Sequence, residues 1–222
     1  SRQGNKYLGT IGHLGCLSFH ESKNIQCGEG GALIINDKAL MERAEILREK
    51  GTNRSAFFRG QVSKYVWMDI GSSYVLGELN AAFLWAQLEQ AENILHKRIC
   101  NFKTYHEQLR YPSQLGQFSI PPYEEPYEGN GHIFYVITQG HKARVDLMDY
   151  LSSKGIPSFF HYVPLHSSPA GKKYCRCSGL LPHTDKLGDT LLRLPISSSM
   201  TEEQVHAIAT EVCNKYSNAI FH

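Results

Sequence analysis

The stretch from Leu14 to Ile35 constrains the fold more than any other. An apolar run, Leu14 to Phe19, leads into Ser18-Phe19-His20-Glu21-Ser22-Lys23-Asn24. Glycines follow at Gly28, Gly30 and Gly31, and a second apolar run, Ala32-Leu33-Ile34-Ile35, comes directly after them. Two short apolar runs bounded by polar residues and glycine read as buried strands. Clustered glycines let the backbone turn sharply or approach a ligand closely. The segment between the strands offers a hydroxyl at Ser18 and an amine at Lys23. A lysine pinned between two buried strands is expected to lose solvation. That lowers its pKa and yields the neutral amine that attacks a carbonyl. A solvated charge is the commoner state of a loop lysine, so pattern alone leaves both readings open.

The chain has 222 residues, 41% hydrophobic and 20% charged, the balance of a globular protein able to bury a core. A net charge of +2 gives no electrostatic case for a nucleic-acid or membrane partner. No apolar run approaches the roughly 20 residues of a membrane helix. No signal peptide opens the chain, and a cytoplasmic location is expected. The six cysteines lack the spacing of a secreted disulfide scaffold and read as reduced thiols. Cys175-Arg176-Cys177 is a single tight pair where the usual zinc pattern has two, so no metal site is expected.

Asp37 is placed to cap a helix reaching about Lys50, with Gly51 as terminator. Thr52 to Tyr74 reads as a long polar and aromatic loop, and loops of that length are usually functional. A strong helix is expected from about Leu76 to Leu109, its wide apolar stripe forming core and subunit contact. Pro112 to Asn130 is rich in proline, glycine and tyrosine and reads as a connector. Beyond it lie a strand over His132–Thr138, a helix from about Lys142 to Lys154 and a strand over Pro157–Tyr162. A polar loop then leads to a short strand at Leu191–Pro195. The last helix opens on Thr201-Glu202-Glu203-Gln204, a capping box that turns Val205, Ile208, Ala209 and Val212 inward. The fold class expected is α/β, divided into 1–111, a connector at 112–130, and a small α+β domain at 131–222.

Ser18-Phe19-His20-x-x-Lys23-Asn24 with Gly28-Glu29-Gly30-Gly31 resembles the cofactor-lysine segment of the DegT/DnrJ/EryC1/StrS family of sugar aminotransferases. These are pyridoxal 5′-phosphate enzymes of fold type I, and the resemblance runs through nearly the whole chain. Lys50-Gly51-Thr52-Asn53-Arg54, Phe58-Arg59-Gly60-Gln61, Asp69-Ile70-Gly71-Ser72-Ser73-Tyr74 and His161-Tyr162-x-Pro164-Leu165-His166 are similar to one group of members. Those members make dTDP-4-amino-4,6-dideoxygalactose from dTDP-4-dehydro-6-deoxyglucose.

The resemblance implies that Lys23 bonds the cofactor and then carries the proton, and that Ser18 and Asn24 help to hold it. Ser72 and Ser73 stand where many members carry an asparagine that reaches the cofactor phosphate of a neighbouring subunit. A homodimer with shared active sites is therefore implied. Arg54, Arg59 and Tyr65 are candidates for the diphosphate of a nucleotide sugar, since guanidinium forks suit phosphate oxygens. His161, Tyr162 and His166 are candidates for the sugar end, and glutamate is the implied amino donor. Such products feed surface polysaccharides such as enterobacterial common antigen or O-antigen. In relatives, the aspartate that pairs with the pyridinium nitrogen lies upstream of the segment resembling Ser1–Gly12. The chain is thus expected to be the C-terminal part of a fold-type-I transferase, a partial large α/β domain plus the small one. It would either work with the remainder or persist as a dimerisation or binding module.

Overall fold

A computed structural model of the chain describes residues 1–124 and 129–217. Residues 125–128, within the expected connector, lie outside the described ones. The chain packs as two compact units, Ser1–Glu92 and Asn93–His222.

In the first unit β1 (Arg2–Gln3) and β2 (Lys6–Tyr7) form a small antiparallel hairpin. The two expected apolar strands form β3 (Leu14–Ser18) and β4 (Gly31–Ile35), paired antiparallel with Leu14 opposite Ile35 and Ser18 opposite Gly31. The expected burial is not observed: Leu14, Leu17 and Leu33 are 47%, 40% and 49% exposed. A two-stranded ribbon has no third strand or helix layer to close its faces. Asp37 caps as expected, its carboxylate accepting from Ala39 N at 2.9 Å, but over a 3-10 turn, Lys38–Leu40, that runs into α1 (Met41–Arg48). Lys50 (φ 61°) and Gly51 (φ 75°) then turn the chain away, and Gly51 N–H donates to Ile46 O at 2.9 Å.

The long loop expected at 52–74 contains α2 (Arg54–Phe58) and folds back on the end of α1. Isolated bridges pair Glu49 with Ser73 and Thr52 with Trp67. A Cβ at Gly51 would stand 1.7 Å from Asp69 O, so this crossing requires glycine.

The single helix expected over Leu76–Leu109 is two, α3 (Glu78–Glu89) and α4 (Ala91–Gln114), broken at Gln90 (φ −99°, ψ 7°). No residue of α3 is buried, so its apolar stripe is not core within this chain. Helix α4 also runs through Pro112, where the connector was expected to begin. Proline removes one amide donor there, a small loss so near the helix end, and Gly116 (φ 76°) makes the stop.

In the second unit β5 (Phe134–Ile137), β6 (Phe159–Phe160) and β7 (Leu191–Leu194) form an antiparallel sheet in the order β5-β7-β6. Helix α5 (His141–Ser153) ends ahead of Gly155 (φ 72°). Between β6 and β7 a polar loop was expected. The structure has instead α6 (Pro169–Tyr174), capped by Ser168 Oγ accepting from Gly171 N at 3.0 Å, and α7 (Pro182–Thr190). Both open on proline, which fits a first helical turn. The last helix, α8 (Glu202–Ser217), carries the expected capping box: Gln204 N donates to Thr201 Oγ1 at 3.3 Å and Thr201 N to Gln204 Oε1 at 3.0 Å.

The core of this unit joins Phe102, Tyr105 and Leu109 of α4, Leu147 and Leu151 of α5, and Val205, Ile208, Ala209 and Val212 of α8 against Phe134, Val136, Leu192 and Leu194 of the sheet. The ring of Phe134 lies 5.0 Å from Phe102 and 4.8 Å from Tyr105. No described helix is long and apolar enough to cross a membrane.

Candidate active site

Lys23 lies on the turn that joins β3 to β4. Phe19 N donates to Gly30 O (2.8 Å), Cys27 N to Phe19 O (2.9 Å), Glu21 N to Gly28 O (2.7 Å) and Lys23 N to His20 O (2.9 Å). His20 braces the turn from inside: its Nδ1 accepts from Ser22 N at 3.1 Å, and its Nε2 lies 3.5 Å from Glu29 Oε1. From α3, Asn80 Nδ2 donates to Cys27 O at 2.7 Å. A Cβ at Gly30 would stand 2.5 Å from Cys27 Sγ, which accounts for that glycine.

Lys23 itself is exposed, against the expectation that flanking strands would desolvate it. The strands that flank it are themselves open to solvent. Lys23 makes no ion pair among the described residues. Ser18 Oγ accepts only a long bond, 3.4 Å, from His20 N, which leaves its proton free to donate. Asn24 is half-buried on the same turn.

Pyridoxal 5′-phosphate offers an aldehyde to an amine and a phosphate to neutral donors. The end of β3 and the turn after it carry a hydroxyl, an amine without an ion pair among the described residues and a carboxamide, the group types those two demands call for.

The arginine candidates separate. Arg59 is held in a fork by Glu45, Nη1 to Oε1 at 2.8 Å and Nη2 to Oε2 at 2.7 Å, and this bond holds the Glu45 carboxyl below its usual pKa. Arg54 lies 3.7 Å from Glu49 Oε1 with its guanidinium 5.0 Å over the Phe58 ring. It shares a cavity of about 310 Å³ with Tyr65, Ser73 and Lys50. Arg59 lines a different cleft, with Glu45 and Lys38. Ser72 is tied through its backbone, its carbonyl accepting from Lys50 N at 3.0 Å and its amide donating to Leu47 O at 2.9 Å.

In the second unit, His161 Nδ1 lies 3.0 Å from Arg193 Nε and 2.8 Å from Arg193 Nη2. Burial first, and the Arg193 charge second, push the pKa of His161 below its usual value. Tyr162 lies beneath the same guanidinium at 5.0 Å. His166 Nε2 is engaged by Asp185 Oδ1 of α7 at 2.9 Å. The structure thus gathers His161 and Tyr162 around Arg193, a residue not anticipated although a lone arginine in Leu191-Leu192-Arg193-Leu194 marks itself. Lys50 and Asn80 were missed too. Nothing local distinguishes Asn80, because its partner lies 53 residues away. Among the described residues, no cluster of three or more histidine, cysteine, aspartate or glutamate side chains could hold a metal ion.

The fold matches about half of the length of solved sugar aminotransferases. Helicobacter pylori PseC, an aminotransferase involved in the biosynthesis of pseudoaminic acid, superposes with a TM-score of 0.84 at 22% identity, over 98% of this chain and 57% of its own. The Streptococcus pneumoniae sugar aminotransferase Spr1654 in its PLP form gives 0.79 at 18%, over 96% and 54%. The model of the DegT/DnrJ/EryC1/StrS aminotransferase family matches residues 1–213, and the chain belongs to that family. Its members depend on pyridoxal 5′-phosphate.

Among curated relatives, the "pleiotropic regulatory protein" of Geobacillus stearothermophilus is 26% identical over 97% of this chain and 55% of its own length. GDP-perosamine synthase of Escherichia coli O157:H7 is 28% identical over 98% and 56%. The chain spans about half the length of the curated relatives it matches.

Proposed function

We propose that the chain is the C-terminal, lysine-bearing portion of a cytoplasmic nucleotide-sugar aminotransferase. Its reaction converts dTDP-4-dehydro-6-deoxyglucose to the 4-amino sugar dTDP-4-amino-4,6-dideoxygalactose with glutamate as donor, for surface polysaccharides such as enterobacterial common antigen or O-antigen. The observation that carries the reading is Lys23, an amine without an ion pair among the described residues on a hydrogen-bonded turn that follows Ser18, inside a family whose members are aminotransferases.

Bound there, pyridoxal 5′-phosphate would supply an electron sink for the carbon that gives up or takes a proton. Lys23 would hold the cofactor through its amine, and the same Nζ would carry the proton to and from the reacting carbon. Ser18 and Asn24 would help to hold the cofactor, the serine hydroxyl as a neutral donor toward its phosphate. Ser72 and Ser73 would serve the phosphate in a second copy of the chain, within a homodimer. Arg54 and Tyr65 take the diphosphate, with Arg59 available if Glu45 releases it. His161, Tyr162 and His166 orient the sugar end. The divisions 1–111 and 131–222 correspond in this reading to the large and small domains. The exposed faces of β3, β4 and α3 are surfaces that the rest of the enzyme and the second subunit would cover.

The half-length match and those open faces favour a second reading, in which the chain alone is an incomplete dimerisation or binding module. Borohydride reduction after incubation with pyridoxal 5′-phosphate, followed by peptide mass mapping, separates the two. One phosphopyridoxyl adduct at Lys23 is expected if a selective pocket survives. Label scattered over many lysines would sink the first reading for the isolated chain. With the adduct in hand, glutamate and the keto sugar should give the amino sugar.

A further inference from the structure

Two of the six cysteines, Cys175 and Cys177, are separated by a single residue, and the function proposed above uses neither. Cys175 closes α6, Cys177 lies on the way to α7, and both thiols are exposed. The backbone leaves α6 extended at Cys175 (φ −109°, ψ 155°), and extended chain turns residues i and i+2 to one face. Their Cα atoms lie at most about 7 Å apart in any conformation. A disulfide needs about 4.4–6.8 Å, so a slight bend at Arg176 suffices to join the sulfurs.

The segment is free to make that bend. Among the described residues, no backbone–backbone hydrogen bond engages Arg176 to Leu180. Cys177 Sγ donates to Gly179 O at 3.1 Å, Gly179 takes φ 95°, and Leu180 is 94% exposed. Oxidation therefore disrupts no packed contact of either thiol. The charge around the pair has one sign. Lys172, Lys173 and Arg176 flank it, and no aspartate or glutamate stands between Gly171 and Thr184. A cationic stretch of that kind attracts an anionic oxidant.

We infer that Cys175 and Cys177 form a reversible dithiol–disulfide site that exchanges with anionic low-molecular-weight disulfides. One thiolate attacks the small disulfide, forming a mixed disulfide and releasing the first small thiol. The second thiolate then attacks the protein sulfur of that bond, closes the Cys175–Cys177 disulfide and expels the second small thiol. The two protein thiols give up two electrons and two protons, and the two sulfurs of the oxidant take them. An exposed disulfide in so small a ring is of the labile kind that a reducing thiol reopens, not a structural bridge.

The test is incubation of the full 222-residue chain with glutathione disulfide, followed by acid quench, alkylation and peptide mass mapping. Trypsin cuts after Arg176, so the two cysteines stay together in a complete digest only if a bond joins them. The expected product is that linked pair, unalkylated and lighter by two hydrogens. It should form at least about tenfold faster than Cys16 or Cys100, both exposed, acquires glutathione, because its second step is intramolecular. Dithiothreitol should restore both thiols. In Cys175→Ser and in Cys177→Ser the remaining thiol should instead keep one glutathione, with the melting temperature of the parent chain.

Oxidation of the pair no faster than that of Cys16 or Cys100 would overturn the inference. So would glutathione persisting on both cysteines, or a disulfide formed chiefly between chains, since either means that the bend at Arg176 is not reached. Cystamine, a cationic disulfide, should react at least about threefold more slowly than glutathione disulfide at low salt, and the gap should close at high salt. A faster reaction with cystamine would overturn the preference for anions. None of these readouts depends on the aminotransferase reading.

Discussion

In the unit from residue 93 onward, Tyr105, Leu109, Phe134 and Val136 have no exposed surface, whereas in the unit before it Leu79, Trp67 and Ile70 are 87%, 78% and 76% exposed. Cys27 is the one buried apolar side chain described in residues 1–92. What shapes the first unit is therefore backbone hydrogen bonding, glycine crossings and surface ion pairs. The second is shaped by a packed core. The lysine turn and the cation-lined cavity both belong to the unit with almost no core of its own. Chemistry can thus be spelled out by local turns, while stability there depends on burial that residues 1–92 do not provide among themselves.

The largest expected contrast comes from matched aromatic truncations. Phe134→Ala removes a ring packed against Phe102 and Tyr105 and should cost about 3–5 kcal/mol in urea unfolding. Trp85→Ala, at a side chain 67% exposed, should change stability by no more than about 0.5 kcal/mol. A comparable loss from both would mean that α3 has found a core after all, for instance in a dimer.

Hydrogen exchange sharpens the same comparison without mutation. Amides of β5 and β7 should exchange at least about 100-fold more slowly than those of β3 and β4, because only the former open with the global transition. A smaller expected effect is Thr201→Ala, which removes the hydroxyl that accepts from Gln204 N in the capping box on α8 and leaves the backbone amide that donates to Gln204 Oε1. It should cost about 1 kcal/mol in urea unfolding, all of it from the second unit.

What could be read beforehand follows the same divide. The inward residues Val205, Ile208, Ala209 and Val212 were legible because α8 has a core to face, so its apolar spacing has one solution. The stripe of α3 carries an equally apolar pattern, yet Leu79, Phe83 and Leu88 are exposed. Periodicity reports which side wants burial, not what supplies it. The same gap undid the expected desolvation of Lys23: the strands are there, but Leu14, Leu17 and Leu33 on them stay exposed among the described residues.

Local breaks were harder to foresee. The kink at Gln90 has no glycine or proline to announce it, and Pro112 announced a helix end that the chain postpones to Gly116. Helices α6 and α7 did carry signals, Ser168 before Pro169 and Pro182 at a first turn, but each is short and has too few apolar residues to show a period. Of the site, the lysine turn was legible as a motif. The pairing of Arg59 with Glu45, and the meeting of Lys50 with Arg54, Tyr65 and Ser73, depend on a chain crossing at Gly51 and Asp69 that no spacing rule encodes.

The smallest expected effect is a pH dependence confined to the second unit. His161 has a folded pKa below its usual 6.5, first through burial and then through Arg193, so the unfolded chain binds the proton more readily than the folded one. Its contribution is therefore present above about 6.5 and is lost as pH falls through the lower folded value. His106 of α4 is lowered likewise, by burial and then by Arg110, and adds to the same window. Urea midpoints should fall between about pH 7.5 and about pH 5, more steeply than the carboxylates alone require. In His161→Asn, whose carboxamide oxygen can still accept from Arg193, the slope should become shallower without vanishing, because His106 continues to titrate. An unchanged slope would mean that Arg193 and its surroundings keep His161 as well solvated in the folded chain as in the unfolded one. The titration of His161 would then contribute nothing to the stability of the second unit, and the polar cluster around Arg193 could serve a ligand without a pH-linked cost to the fold.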